Sequence, residues 1–394
     1  MGNTFFTSRN AYFTIILLGI VSLMGDIVYE GSRGIIPDYL KFLGASALIV
    51  GLVGGLGEFL GYAIRLISGI LADNTRAYWI FIFIGYGLIV SVPLLGFTNT
   101  WELAVILVLV ERFGKALRSP SRDTIISIVS KGLGAGKAFG IHELLDQVGA
   151  VIGPLLVALL MFYSYNNYQL TFSFLLLPFL ILLIILYYTY RKIGSKTIAE
   201  SKIEDNLKKK LGKPFFFYTL AVTFNTIGLI PIALILYKAS IILQPLNQQW
   251  MVPLIYLLIQ GVDAPAALLS GYAYDKFGAK ILLIPFILSI FPSFFSMYDG
   301  GLIALITAAA FFGIILGMQE SIYRAAVSKY ATISTRGTAY GIFNTAYGLG
   351  FLISGGFYGI LIDLKAPLIY TILLIIFMQT IAVVMLLSSQ KIHK

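Results

Sequence analysis

The stretch SGILADNTRAYW (68–79) returns in altered form as SGYAYDKFGAKI (270–281), setting Gly69 against Gly271 and Asp73 against Asp275 at an offset of 202. Further along, KAFGIHELLDQVGAVIGP (137–154) aligns with TAYGIFNTAYGLGFLISG (338–355), with Gly140 over Gly341 and Gly149 over Gly350 at an offset of 201. Two separated matches at nearly one offset mark an internal duplication, so the same order of elements is expected in each half.

Composition says what those elements are. Of the 394 residues, 58% are apolar and 12% charged, against roughly 45–50% and about 25% in soluble domains. A water-facing surface cannot be built from that mixture. Apolar runs long enough to cross a bilayer core about 30 Å thick recur along the chain. They predict twelve helical spans, near 11–33, 45–72, 77–97, 101–129, 138–162, 168–190, 214–240, 250–274, 279–298, 301–328, 338–362 and 367–389. The fold expected is an all-α integral membrane protein of two pseudo-symmetric six-helix bundles, 1–190 and 214–394, joined by a linker, 191–213. Six spans per half make the repeats parallel, related by an axis along the membrane normal.

Charge orients the spans. With the N-terminus in the cytoplasm, 21 of the 28 Lys and Arg residues fall in cytoplasmic segments, and only Lys41, Lys238 and Lys365 lie opposite. One missed span would scramble that bias, so it supports the count, the cytoplasmic placement of both termini and a cell-membrane location. The first apolar run, from Ala11, has one basic residue before it, Arg9, and no small-x-small cleavage site; it reads as a retained span. The linker RKIGSKTIAESKIEDNLKKKLGK reads as a solvated connector, with a helix on anionic lipid as the alternative.

Several function classes are excluded. The chain has no cysteine and only two histidines, His142 and His393, and it lacks a G-x4-G-K-[ST] phosphate loop. No catalytic set, metal site or cofactor is expected, and the protein is not read as an enzyme. The net charge of +10 is spread over short loops without an aromatic-interleaved basic face, which excludes nucleic acid as a partner. The partners expected are the lipid bilayer, a small-molecule substrate and protons, with the chain as a monomer.

The chain resembles the major facilitator superfamily over nearly its whole length. The stretch Gly69 to Arg76 is similar to the family's loop motif G-x-L-A-D-R-x-G-R-K: Gly69, Leu71, Ala72 and Asp73 match, Asn74 and Ala77 depart, and Arg76 alone remains of the basic cluster. The second copy keeps Gly271, Asp275, Lys276, Gly278 and Lys280. Asp73 and Asp275 stand where a span meets the cytoplasm, each placed to face the positive N-terminus of another helix; the resemblance implies that this contact latches the halves in the outward-facing state. In the fifth span Gly140, Gly149, Gly153 and Pro154 resemble the G-x8-G-x3-G-P pattern of the antiporter branch, with Val157 and Ala158 in place of its final glycine pair. Physically, glycines at four-residue spacing admit a close helix neighbour, and Pro154 kinks the helix.

Ionisable residues inside spans are expensive and mark function by default. The first half holds Asp26, Glu30, Arg33, Glu58, Arg65, Glu111, Arg112, Lys115, Glu143 and Asp146, whereas the second has Asp263 and Glu320, with Arg324 near a boundary. Six carboxylates face four cations in the first half, leaving two without a partner. A buried carboxylate without a partner takes a proton, which is the chemistry of proton coupling. Asp26, Glu30 and Arg33 follow an i, i+4, i+7 spacing on one helix face. Asp26 or Glu30 is the expected carrier, with Glu58 next; the alternative is a fully paired lattice that only fixes packing. Arg112 resembles the fourth-span arginine the family uses near its proton-linked site, although Gly114 follows sooner than the family pattern has it. Glu143 and Asp146 are expected to pair with Arg118 and Arg122, and His142 to pack.

The substrate path is expected near the midplane. Its candidate lining groups are Tyr29, Arg33 and Arg65 in the first half, and Asn225, Gln260, Asp263, Asn344 and Tyr347 in the second. The function these residues imply is a secondary active transporter working by alternating access, with proton-coupled efflux of a small amphipathic or cationic molecule. The alternative is uptake of a nutrient or metal chelate by symport or facilitated diffusion.

Overall fold

The computed structural model describes residues 8–130, 134–198, 211–331 and 336–393. Most of the linker (199–210), Lys131 and Lys394 lie outside them. The described residues are helical and contain no strand. In order, the helices of the first part are α1 (Ser8–Arg33), α2 (Ile36–Phe42), α3 (Ala47–Thr75), α4 (Tyr78–Gly87), α5 (Ser91–Leu94), α6 (Trp101–Val129), α7 (Ala135–Tyr163), α8 (Tyr168–Phe174) and α9 (Leu176–Ile198). The second part has α10 (Lys213–Ile227), α11 (Ile232–Leu243), α12 (Val252–Phe277), α13 (Leu283–Leu288), α14 (Ile290–Met297), α15 (Gly301–Met318), α16 (Arg324–Tyr330), α17 (Arg336–Asp363) and α18 (Leu368–His393). Ten segments of the described residues are long and apolar enough to cross a membrane. One of them, Gln249–Met297, is 49 residues long and includes α12, α13 and α14. The 29-residue α6 is not among the ten, since its Glu, Arg and Lys residues dilute its apolarity.

The chain packs as two compact units, the described parts of Met1–Gly34 with Ile64–Asp205, and of Ile35–Ala63 with Asn206–Lys394. Helix α3 therefore gives its first half to unit 2 and its second half to unit 1. Within each unit the duplication is visible as packing. In unit 1, α1 packs on α7 and α9; in unit 2, α10 packs on α17 and α18. The backbone repeats too: Arg76 ends the α3 turn with φ of 54°, and Gly278, 202 residues on, ends α12 with φ of 65°. Glycine adopts that left-handed conformation without strain and arginine does not, so the second copy keeps the residue the turn prefers.

The α10–α11 pair is a single predicted span broken at Gly228–Pro231. Pro231 supplies no N–H, and the carbonyls freed by the break would be costly in an apolar interior. Hydroxyls satisfy them. Ser293 and Tyr358 donate to Gly228 O at 3.0 and 2.7 Å, Ser354 donates to Leu229 O, and Ile230 N donates to Ser293 Oγ at 2.8 Å.

In unit 2 the first half of α3 runs along α17 at backbone distance. A Cβ on Gly359 would sit 2.6 Å from Leu48 Cα, and one on Gly348 would sit 2.7 Å from Phe59 Cα. At the end of this seam Asp363 accepts hydrogen bonds from Ala47 N (2.8 Å) and Leu48 N (2.9 Å), the open N–H groups at the start of α3. Asp38 and Lys41 tie α2 into the same unit through Ser240 and Gln244. Asp363→Ala is expected to cost about 0.5–2 kcal/mol, the usual loss for a helix cap, and Asp363→Asn less, because asparagine also caps. Thermal unfolding in detergent checks the order; equal melting of the two variants contradicts the capping role.

Candidate functional site

In unit 1, α1 presents Asp26, Glu30 and Arg33 on one face toward α6, whose Glu111, Lys115, Arg118 and Arg122 follow the i, i+4, i+7, i+11 positions of a single stripe. Helix α7 closes from the other side, and its glycines set the distance. A Cβ on Gly149 would lie 2.6 Å from Leu23 O and 2.8 Å from Asp26 Cβ; one on Gly153 would lie 2.8 Å from both Gly31 N and Ile27 O. The antiporter-like glycines are thus the surface against which the Asp26 turn of α1 is seated. Pro154 follows inside α7.

Ion pairs knit the stripe to α1. Glu30 pairs with Arg33 at 3.2 Å and with Lys115 at 3.5 Å. Glu111 holds Arg118 at 3.5 Å and Arg112 at 3.7 Å. Arg118 also donates to Gly85 O (3.2 Å) and lies 5.1 Å from the ring centroids of both Tyr29 and Tyr86; Lys115 Nζ stands 4.3 Å from the Tyr29 ring. Deeper along the stripe, Arg122 pairs with Asp123 (3.0 Å) and Asp146 (3.6 Å) and donates to Ser22 Oγ (3.1 Å). Ser22 meets Tyr86 Oη at 2.8 Å and His142 Nε2 at 3.0 Å, and His142 Nδ1 lies 3.6 Å from Asp146. His142 is thus engaged on both ring nitrogens, in line with a packing role.

Asp26 differs from its neighbours. It is 6% exposed and acted on by the Asp146 and Glu30 carboxylates and by Lys115. Among the described residues no cation lies within ion-pair distance of it, whereas every other buried carboxylate of the cluster has one.

Three expectations change. The surplus of two carboxylates disappears, because Arg118 is buried and Arg122 faces the cluster, adding two cations to the four expected there. Asp146 does pair with Arg122, but Glu143 is exposed and bonded to Gln147 (3.5 Å). Glu58 leaves the first-half set altogether, since the part of α3 that carries it packs in unit 2. Arg65, half-buried, stays in unit 1 on the other half of α3. Ser22 and Tyr86 are not among the residues the sequence singles out, and no pattern in the sequence marks them; Arg118, expected to pair with Glu143 or Asp146, pairs with Glu111 instead.

In unit 2, Asn225 is fully buried and its side chain is used up. It donates to Ser289 Oγ (3.1 Å) and Gln379 Oε1 (2.8 Å) and accepts from Tyr323 Oη (2.9 Å). The expectation that it lines a path gives way to a structural lock beside the α10 break. Gln260 and Asn344 are half-buried and Asp263 is buried. Tyr347 is 8% exposed and donates to Gln319 Oε1 at 2.6 Å. Of the latch residues, Asp73 is exposed and accepts from Tyr78 Oη (3.0 Å), and Asp275 is exposed. Neither caps a helix start among the described residues. Gly69 stands in ordinary contact range of Pro120 in α6, while a Cβ on Gly271 would lie 3.0 Å from Ser321 Oγ.

Ten apolar segments long enough to cross a membrane, with a cluster of paired charges among them, are the features of a multi-pass membrane protein. The chain belongs to the Major Facilitator Superfamily, whose family model matches residues 15–355. An uncharacterized protein of Mycobacterium tuberculosis is 36% identical over 364 residues, covering 88% of this chain and 85% of that one. An uncharacterized MFS-type transporter of Methanocaldococcus jannaschii is 31% identical over 350 residues, covering 87% and 85%. Among solved structures, the nucleoside transporter NupG superposes with a TM-score of 0.72 at 15% identity, covering 97% of this chain and 99% of that one. A variant of the peptide transporter POT gives 0.73 at 15%, covering 96% and 94%. At that identity the likeness shows the shared fold. Membership implies a small-molecule substrate and a membrane setting.

Proposed function

We propose that the chain is a secondary active transporter that works by alternating access and couples the entry of a proton to export of a small amphipathic or cationic molecule. The observation that carries this reading is Asp26. A buried carboxylate needs a counter-charge, supplied by a cation or by a proton. The cations around Asp26 are committed to Glu30, Glu111, Asp123 and Asp146, so a proton is the counter-charge left to it. Asp146, 17% exposed on its side chain, together with the half-buried Asp123, offers acceptors toward water. The seating of this turn on Gly149 and Gly153 links the antiporter-like motif to the same carboxylate.

The same reading takes the chain as twelve spans. Segment Gln249–Met297 counts as two because it is 49 residues long, and α6 is the charged fourth span. The repeats are 1–190 and 214–394, both termini are cytoplasmic, and the membrane is that of the cell.

In proteoliposomes, an imposed proton gradient should drive an amphipathic cation out of the compartment that stands for the cytoplasm. Flux indifferent to the gradient sinks the coupling. Accumulation of substrate together with the proton would instead establish the uptake reading, by symport.

A further inference from the structure

We propose that His142 is a positioning residue for the coupling proton: its Nδ1–H holds one oxygen of Asp146, so that the other oxygen receives the proton that Asp26 gives up. This rests on the reading of Asp26 as the coupling carboxylate and names the group that readies the next station on the way to water.

The packing of α1 on α7 brings the three residues together. Ser22 and Asp26 stand one turn apart on α1, and His142, Asp146 and Gly149 follow i, i+4, i+7 on α7, so each set shares a helix face. The two faces meet at both ends: Ser22 Oγ lies 3.0 Å from His142 Nε2, and a Cβ on Gly149 would lie 2.8 Å from Asp26 Cβ. Asp146 stands between these contacts along α7. Its Oδ2 is 3.6 Å from both Arg122 Nη1 and His142 Nδ1, and its buried Oδ1 makes no hydrogen bond among the described residues. A buried acceptor left without a donor is costly, and an arriving proton removes that cost.

Counting donors fixes the ring. Ser22 is 2% exposed, and its hydroxyl has one proton and two lone pairs for three partners. Arg122 donates into one lone pair at 3.1 Å, which leaves the second lone pair and the proton to Tyr86 at 2.8 Å and His142 at 3.0 Å. Buried beside the Arg122 guanidinium, the imidazole is neutral and carries a single N–H. An Nε2–H would donate to Ser22 and set the bare Nδ1 against the Asp146 carboxylate. With the proton on Nδ1, Tyr86 donates to Ser22, Ser22 donates to Nε2, and the ring turns its N–H to Asp146. The carboxylate charge selects this second arrangement, a chain of donors that starts at Tyr86 and ends on Asp146 Oδ2.

The surrounding charges frame the transfer. Arg122 and Asp123 of α6 act on His142; the same two groups, with Lys115 of α6, act on Asp146, and Asp146 and Asp26 act on each other. Neighbouring carboxylates disfavour a second negative charge, so one proton serves both. As it moves, the O–H bond on Asp26 breaks and one forms on Asp146 Oδ1. Asp26 is left ionised, Asp146 becomes neutral, and the charge of the cluster is unchanged. Asp146, 17% exposed on its side chain, then releases the proton to water.

The chain has two histidines, so isotopic nitrogen labelling of histidine in the purified full chain gives two rings by NMR, and His393→Gln assigns the second. At neutral pH His142 should appear as the neutral Nδ1–H tautomer. Asparagine and glutamine imitate the two ring nitrogens separately: His142→Asn keeps a donor near the Nδ1 position, and His142→Gln keeps one near Nε2. In proteoliposomes His142→Gln should raise the pH of half-maximal proton-driven export by about half a unit or more, because a carboxylate that loses a donor keeps its proton to higher pH. His142→Asn should stay near the wild-type profile. Asp146→Asn should abolish gradient-driven export and keep counterflow exchange. A merely structural histidine would lower the melting temperature in both His142 variants and leave their pH profiles alike. A charged ring, an Nε2–H tautomer, equal pH profiles in the two His142 variants, or full gradient-driven export in Asp146→Asn overturns the proposal. Failure of the Asp26 reading is distinct: it shows as wild-type export indifferent to the proton gradient, whatever tautomer the ring adopts.

Discussion

Asp26→Asn is expected to reduce proton-driven export to background while the protein stays folded and still exchanges substrate down its own gradient. Asparagine keeps the volume of aspartate, so the contact between this turn of α1 and Gly149 survives. The capacity to bind and release a proton is what goes. Glu30→Gln should behave differently, because Glu30 holds Arg33 and Lys115. Removing its charge leaves two partly buried cations without their anion, and the loss appears first as a lower melting temperature, as expected when one member of a buried pair is removed. The two variants thus separate a coupling carboxylate from a packing one. Full gradient-driven flux in Asp26→Asn, measured in proteoliposomes beside counterflow exchange, would remove Asp26 from the mechanism. Loss of counterflow as well would show that the residue serves binding or folding.

The contrast between Asp26 and Glu30 could not have been read from spacing. Both lie on the same predicted face, and the sequence offers no way to say which one α6 reaches with Lys115. What was legible followed from periodicity and from loss of side chains. The duplication shows because the Gly69 and Gly271 stretches keep register, and it reappears as the shared turn at Arg76 and Gly278 and as matched helix pairings. Charges near span ends were harder. Arg118 and Arg122 sit in a run that also marks a cytoplasmic loop, and hydropathy cannot tell a charge dissolved in water from one paired inside a helix stripe. Two other features depend on tertiary partners. The break at Gly228–Pro231 is stable because Ser293, Ser354 and Tyr358 arrive from distant helices. Glu58 belongs to unit 2 because α3 changes partners partway along its length, which no local pattern records.

The glycines of the α7 motif should separate by position, Gly140 from Gly149 and Gly153. A Cβ on Gly140 meets nothing within 4 Å. Gly140→Ala is therefore expected to be neutral or to stabilise the helix by up to about 1 kcal/mol, the propensity difference between the two residues. At Gly153 the nearest atoms are Gly31 N and Ile27 O at 2.8 Å, both backbone, and the reciprocal Cβ on Gly31 would lie 2.9 Å from Gly153 O. Backbone cannot swing aside as a side chain does, so α1 itself must move. Gly153→Ala should cost about 1–3 kcal/mol by overpacking, and Gly153→Val more. Gly149→Ala presses on Leu23 O and Asp26 Cβ and should fall in the same range. The displaced element is the turn that carries Asp26, so flux should fall with stability at Gly149 and Gly153 and hold at Gly140. Thermal unfolding of the three alanine variants, run beside proton-driven export, checks both parts. If Gly153→Ala melts with Gly140→Ala, the motif does not set the α1–α7 contact, and its resemblance to the antiporter pattern loses its physical basis in this chain.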